Sequence, residues 1–594
     1  MTKNFSEQTP CGTGAGISPL PSGTLSFGDC IALITADATL SADRRRDMVS
    51  GLARVAEVLN RHPDAVPVHA PWLQPRLEDV SPKALRITTK TWANILSNLK
   101  AALAHLGCIE SGTKPVATLS PAWATHWHAL RLSAESGLVP GLWGFVSYLD
   151  DQAVAPEIVG AEHLTDYLAF VATRSLRKHP VDVARRARRA WNRAAKRVPG
   201  WPSKQLEPIA SDRVYCLPDS RFSGRFIAEV EALMHSLAKP DPLAPGTLRR
   251  AMRPDTVKAR RGQFTRFAAV LVHAGLPIER IEAIRDLVVP ANLERGLRWL
   301  LARSSDATTP GISNMAVALR MLVRHHAALT DEERARAEDL CGKVILPRTS
   351  GLTEKNRQRL MPFNDAALTD RFLSLAQELW STAKACRNPV ARSLQRETAI
   401  ALEMLTFCPI RRKNLAELHV ERDLQRHGPG NVVLNLQSHQ TKTGRAISFV
   451  LPDHLVGWID AHLRDRVGIL CPPGVAWLFP RRDGTANMVP SSLGSRISKV
   501  IRTHTGLKVH PHLFRHLSAK LMLKAHPGHY ELVRRILGHA ETSTTWETYV
   551  GLEGEDATRL LSEIVSQNRT PTKPGGKSSQ KPKSWNRRMP RIGS

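Results

Sequence analysis

Two neighbouring stretches decide how this chain reads: His510-Pro-His-Leu-Phe-Arg-His-Leu-Ser-Ala-Lys-Leu521 and Leu537-Gly-His-Ala-Glu-Thr-Ser-Thr-Thr-Trp-Glu-Thr-Tyr-Val550. In the first, His512 and Arg515 stand three apart and therefore share one face of a helix. The second adds His539 and, ten residues on, Tyr549. Upstream, Met404-Leu-Thr-Phe-Cys-Pro-Ile-Arg-Arg-Lys-Asn-Leu-Ala-Glu-Leu418 is an apolar helix broken at Pro409, and the break can aim Arg411 into a cleft. Between these lies Val432-Val-Leu-Asn-Leu-Gln-Ser-His-Gln-Thr-Lys-Thr-Gly-Arg-Ala-Ile-Ser-Phe-Val-Leu451, which alternates like two strands joined at Thr443-Gly444, with Lys442 at the tip.

Two arginines, a lysine, two histidines and a tyrosine are the groups that phosphoryl transfer without a metal requires. Guanidinium forks bind both non-bridging oxygens of a phosphodiester and stabilise a pentavalent transition state. A tyrosine can be the nucleophile, but with an unperturbed pKa near 10 it needs a neighbouring base or cation, and histidine suits that task at neutral pH. Lysine can protonate a departing 5′ oxygen. Taken singly, such an arginine is usually a surface charge and such a histidine an ordinary core or surface residue; order and context make the set informative.

In that order, Pro-Ile-Arg411-Arg-Lys-Asn-Leu, Thr-Lys442-Thr-Gly, His512-Leu-Phe-Arg515-His, Leu-Gly-His539 and the following Tyr549 resemble the boxes of the tyrosine recombinase, or phage integrase, family. The resemblance covers about residues 356 to 553. It implies that Arg411 and Arg515 clamp the scissile phosphate and that Lys442 is general acid toward the leaving oxygen. His512 would assist proton transfer at Tyr549, His539 would orient the phosphate, and Tyr549 would form a 3′-phosphotyrosyl bond. No cofactor and no metal enter this scheme.

Some positions depart from the pattern. Arg412 follows Arg411 directly and competes for the clamp role; Arg411 is favoured because Asn414-Leu415 then falls where the family's helix continues. His510 and His516 flank the His512 and Arg515 pair. The interval from His539 to Tyr549 is one residue longer than in many relatives, and Tyr530, the other tyrosine of this segment, precedes His539. The group His504, His510, His512 and His516 would suggest a metal site, but no cysteine or carboxylate completes a ligand set.

Composition points the same way. The 594 residues carry 83 Lys and Arg against 54 Asp and Glu, a net charge of +29, which calls for a polyanionic partner. Double-stranded DNA is the leading candidate; a ribosomal-type protein or a binder of acidic membranes fits less well with 42% hydrophobic residues in helix-period segments. Eight scattered cysteines without a CxxC pair fit a reducing compartment. Neither a signal-like apolar run near the start nor a run of about 20 apolar residues is present, so a soluble, cytoplasmic, nucleoid-associated protein without membrane contact is expected.

The length implies several domains. The fold expected is mainly α, with a small β-sheet in the catalytic domain and helical modules before it. Residues 1–24 read as a disordered arm and 25–240 as a helical region of unassigned function, either a further DNA-binding module or a protein-contact module. Within it, Arg185, Arg189, Arg193 and Arg197 recur every four residues between Pro180 and Pro199, a stripe that suits either a solvated face or contact with phosphates. Residues 239–246 read as a linker. Residues 247–347 form a helical unit placed like the family's core-binding (SAM-like) domain, with Thr256 as a helix cap and Lys258, Arg260, Arg261, Arg266, Arg320 and Arg324 as candidate phosphate contacts. Thr330 to Asp339 reads as a charged connector. Residues 356–567 form the catalytic domain, ending in a helix with Leu560, Leu561, Ile564 and Val565 on one face, for a neighbouring subunit or for its own. Residues 568–594 read as a basic disordered tail.

The resemblance further implies a homotetramer on two DNA sites, with accessory bending or directionality proteins and a mobile-element context. The alternatives are a type IB topoisomerase, sharing the chemistry but monomeric and indifferent to site, and a DNA-binding protein that has lost catalysis.

Overall fold

The computed structural model describes residues 23–568 except 111–114, 178, 210–214, 242, 244–250, 327, 348–350, 429–430 and 553. The expected arm and basic tail, apart from their innermost residues, and half of the expected linker lie outside the described residues. The chain divides into two compact units, one of residues 1–80 with 90–348 and the other of 81–89 with 349–594. The architecture is mainly α with one three-stranded sheet among the described residues. No helix among them is long and apolar enough to cross a membrane.

In the first unit, indole rings build one core: Trp123, Trp191 and Trp201 pack edge to face or tilted, with ring centroids 5.3–6.5 Å apart. The basic helix Pro180–Arg197 buries Ala184, Ala187, Ala190, Trp191 and Ala194 against this core. Its opposite face carries the arginines, of which Arg193 and Arg197 share Glu135.

A second core of the same unit is built on Phe264, Phe267, Leu271, Leu319 and Leu322. It also takes in Phe226, Val230 and Leu237 from the helix Gly224–Ala238, upstream of where sequence placed the start of this body. Two local expectations are corrected. The helix Pro254–His273 begins with Pro254 in its first turn and no side-chain cap, so Thr256 lies inside it. Thr330 to Asp339 is no connector: Thr330 and Glu333 form a capping box that starts the helix Asp331–Lys343, which buries Ala337 and Cys341. Arg261 is held by Asp219 and Glu231, and Arg324 by Glu338, which leaves Lys258 and Arg266 as the more exposed cations of the set.

The second unit is organised on the helix Pro389–Phe407, which contributes Ala399, Ile400, Ala401, Met404 and Leu405 to its core. Strands β1 (Leu424–Arg426), β2 (Val432–Leu436) and β3 (Ile447–Val450) pair antiparallel in the order β1-β2-β3. Val432, Leu434 and Leu436 alternate into the core, as a half-buried strand requires. Residues 81–89, which sequence assigned to the helical N-terminal region, pack with this unit: Ser81 Oγ donates to the Thr503 carbonyl (2.6 Å), and Arg371 donates to the Lys83 and His504 carbonyls (2.7 Å each).

Candidate active site

Arg411 caps the N-terminus of the short helix Arg412–Ala416, in extended backbone after the break at Pro409. The break follows from chemistry, since proline offers no amide to continue the preceding helix. Arg515 projects from the helix Pro511–Ala525 and is 3% exposed. Its Nη1 donates to the Pro409 carbonyl and its Nη2 to the Leu537 carbonyl, each at 2.6 Å. One guanidinium thus joins the kink that aims Arg411 to the turn that carries His539. Burial, with repulsion from Arg411, lowers the Arg515 pKa to about 10, while Tyr549 pulls the other way.

The turn at Leu537-Gly-His is set by Gly538, which ends the helix Tyr530–Leu537 at a φ of 60°. A side chain there would be strained by the left-handed backbone and would also have to displace the tip of Ile447. His539 then places Nδ1 2.8 Å from Oγ1 of the fully buried Thr545. That bond fixes the ring and leaves Nε2 for a ligand.

Tyr549 ends the helix Thr542–Tyr549 and is 1% exposed. Its ring lies parallel to that of His539, with centroids 6.4 Å apart. Its hydroxyl is 3.0 Å from Nδ1 of His516. Burial raises the Tyr549 pKa to about 12, with Arg515 opposing. The histidine on the phenol is therefore His516, one helical turn beyond His512, while the His512 ring meets His516 edge to face at 4.9 Å. Loss of hydration and the charges of Arg515, His510, Arg411 and Lys442 lower the His512 pKa to about 4. The same kinds of cause lower His539 to about 4 and His516 to about 3. Among the remaining histidines, His510 caps its helix, Nδ1 accepting from the Leu513 amide at 3.2 Å, and His504 lies beside Lys83.

Lys442 is exposed on the connection between β2 and β3. That connection is longer than a tight turn and is fastened at several points. Asn414 Nδ2 donates to the Gln440 carbonyl (2.8 Å), Gln440 Nε2 donates to the buried Asp423 (3.0 Å), and Thr441 Oγ1 donates to the Arg445 carbonyl (2.7 Å). Arg411 and Lys442 both act on the His512 titration, and Arg411 acts on Arg515 and His539 as well, so the two cations face the same cluster. Arg412 instead lies along the helix Pro490–Thr505, where a Cβ on Gly494 would come within 2.8 Å of its Cδ. Of the two adjacent arginines, Arg411 is the one turned to the site.

The site is a cluster of cationic and imidazole side chains around a buried phenol, suited to anionic phosphodiester chemistry. Residues 375–555 match the model of the phage integrase family. That segment is a tyrosine recombinase domain, of the class of enzyme that cleaves and rejoins DNA. Solved structures similar to the chain include the XerA recombinase, with 15% identity over 59% of this chain and 98% of that one and a TM-score of 0.24. The XerH site-specific recombinase bound to palindromic difH substrate in a post-cleavage complex is 12% identical over 57% of this chain and 95% of that one, with a TM-score of 0.33. The Tn1549 transposon integrase in complex with a circular intermediate DNA is 13% identical over 57% and 99%, also at 0.33. No curated protein matches the chain.

Proposed function

We propose that the chain binds double-stranded DNA and exchanges strands through a 3′-phosphotyrosyl intermediate on Tyr549. The observation that supports this most is the junction of Arg515 with both the Pro409 kink and the Leu537 turn, which ties Arg515 to the segments that carry Arg411 and His539, beside Tyr549. Arg411 and Arg515 bind the non-bridging oxygens and offset the charge that grows in the transition state. His539 presents the ring nitrogen that Thr545 leaves free and orients the phosphate. His512, with one edge open to solvent, borders the phosphate and assists proton movement at the phenol through His516. Lys442 supplies a proton to the departing 5′ oxygen. The new ester retains the free energy of the broken one, so religation needs no nucleotide cofactor.

The further organisation belongs to the same reading. The protein acts as a homotetramer on two sites, with accessory DNA-bending or directionality proteins, in the cytoplasm at the nucleoid and as part of a mobile element. The helix Gly554–Asn568 carries Leu561, Ile564 and Val565 exposed, a face suited to a neighbouring subunit. Residues 247–347 contribute a further contact with the duplex, and 25–240 another.

The test is to incubate the protein with nicked suicide duplexes tiled across the DNA flanking its gene and to map the trapped ends. Adducts on 3′ phosphates confined to a few sites are expected. Relaxation of plasmids lacking any such site, without confined adducts, would instead point to a topoisomerase.

A further inference from the structure

We propose that His516 is the general base of the cleavage step, accepting the Tyr549 proton at Nδ1 as the phenol oxygen attacks phosphorus. The inference rests on the tyrosine-nucleophile reading and adds to it a residue that the resemblance does not assign. Its ground is contact. His516 Nδ1 lies 3.0 Å from the Tyr549 hydroxyl, within the range of a hydroxyl hydrogen bond to nitrogen, and both side chains are buried. His512 packs edge-on against His516, its centroid 4.9 Å away, and the His516 ring in turn meets the Tyr549 ring at 5.7 Å.

Charge supports the same assignment. Around His516 stand His510, His512 and Arg515 on its own helix, His539 on the turn after the helix Tyr530–Leu537, and Tyr549 on the helix Thr542–Tyr549. Burial and these neighbours hold the ring neutral, so Nδ1 accepts and the tyrosine hydroxyl donates. Without DNA the same neighbours make an imidazolium costly, and the phenol keeps its proton. A phosphodiester entering between the arginines brings the negative charge that offsets them, and His516 becomes basic only when substrate is present.

The step balances. The Tyr549 Oη–P bond forms and the P–O5′ bond breaks; the phenol proton passes to His516 Nδ1, and a proton from Lys442 passes to O5′. On religation the 5′ hydroxyl returns its proton to Lys442, and Tyr549 leaves with the proton held by His516.

The experiment is single-turnover trapping on a nicked suicide duplex with His516→Asn. The shorter amide can still accept from the phenol but cannot take its proton. Cleavage should fall about 10²–10⁴-fold, with duplex binding and the circular dichroism spectrum unchanged. The wild-type rate should rise with pH to a plateau, whereas H516N should lack that plateau and climb toward the pH at which tyrosine ionises unaided. A duplex with a 5′-bridging sulfur, which departs without a proton, should rescue Lys442→Ala and leave H516N impaired. H516N cleaving within about threefold of wild type with the same pH profile, or rescued by sulfur as K442A is, would overturn the proposal. If H516N does not fold, wild type on the sulfur substrate decides: the loss of rate on acidification must remain, and a rate independent of pH removes the base. Trapping by a Tyr549→Phe variant would be a separate failure, that of the nucleophile itself.

Discussion

Arg515 Nη1 sits 2.6 Å from the Pro409 carbonyl, so the second arginine of the site is bonded to the kink that points the first. With Nη2 on the Leu537 carbonyl, the same side chain reaches the turn before His539. A lysine keeps the charge but lacks the planar fork that reaches both carbonyls. Arg515→Lys is therefore expected to lose at least 100-fold in cleavage on the order of one lost transition-state contact. It should also lose stability of about 1.5–3 kcal/mol, the worth of a hydrogen bond to a charged group. Urea unfolding and single-turnover trapping check the two effects; a variant as stable as wild type would show that Arg515 does not join these segments.

Asn414 is expected to matter through Lys442. Its Nδ2 holds the Gln440 carbonyl on the connection that carries the lysine. Asn414→Ala should slow cleavage about tenfold, a fraction of what the general acid contributes, while DNA binding is retained. A 5′-bridging sulfur should restore most of the loss, since positioning of the acid then no longer counts. A loss that sulfur does not restore would place Asn414 elsewhere in the mechanism.

Binding to duplex DNA should weaken steeply with salt. A protein of net charge +29 that binds duplex DNA through many Lys and Arg contacts neutralises many phosphates and releases their counterions. The measurement is the slope of log affinity against log salt concentration, and a slope equivalent to only one or two phosphates would contradict so extensive a contact.

The second unit should lose stability in acid. His462 is fully buried, and burial together with Arg466, Arg396 and Arg496 lowers its pKa to about 3, with Asp465 opposing. The unfolded chain takes up a proton near pH 6.5 that the folded ring refuses, so the penalty grows as pH falls from about 6.5 toward 3 and is absent above that window. Thermal melts across this range should show the midpoint falling, and His462→Leu should make the decline shallower. An unchanged pH dependence in H462L would exclude this residue as a source.

The boxes were legible because each pairs a reactive side chain with a local backbone signal. Pro409 breaks a helix ahead of Arg411, Gly538 ends one ahead of His539, and strand alternation brackets Lys442. His516 was harder to read: its partner Tyr549 is 33 positions away and the pairing depends on how two helices pack. The one available signal was the four-residue step from His512, which puts both on one face. Thr545, Gln440 and Asp423 act through bonds that sequence does not display. The helix Asp331–Lys343 was hidden by its charge, although Thr330 and Glu333 stood at capping-box spacing. Residues 81–89 carry no sequence mark of the unit they pack with, because their attachments are backbone carbonyls, a single serine and a lysine beside His504.

The most direct measurement of the central claim is covalent trapping by Tyr549→Phe on a nicked suicide duplex. Removing one oxygen from a buried ring spares the packing and deletes the nucleophile. Duplex binding should stay near wild type and the denaturant-resistant protein–DNA adduct should vanish. An adduct formed by Y549F in wild-type yield would show that the phosphate is attacked by another group.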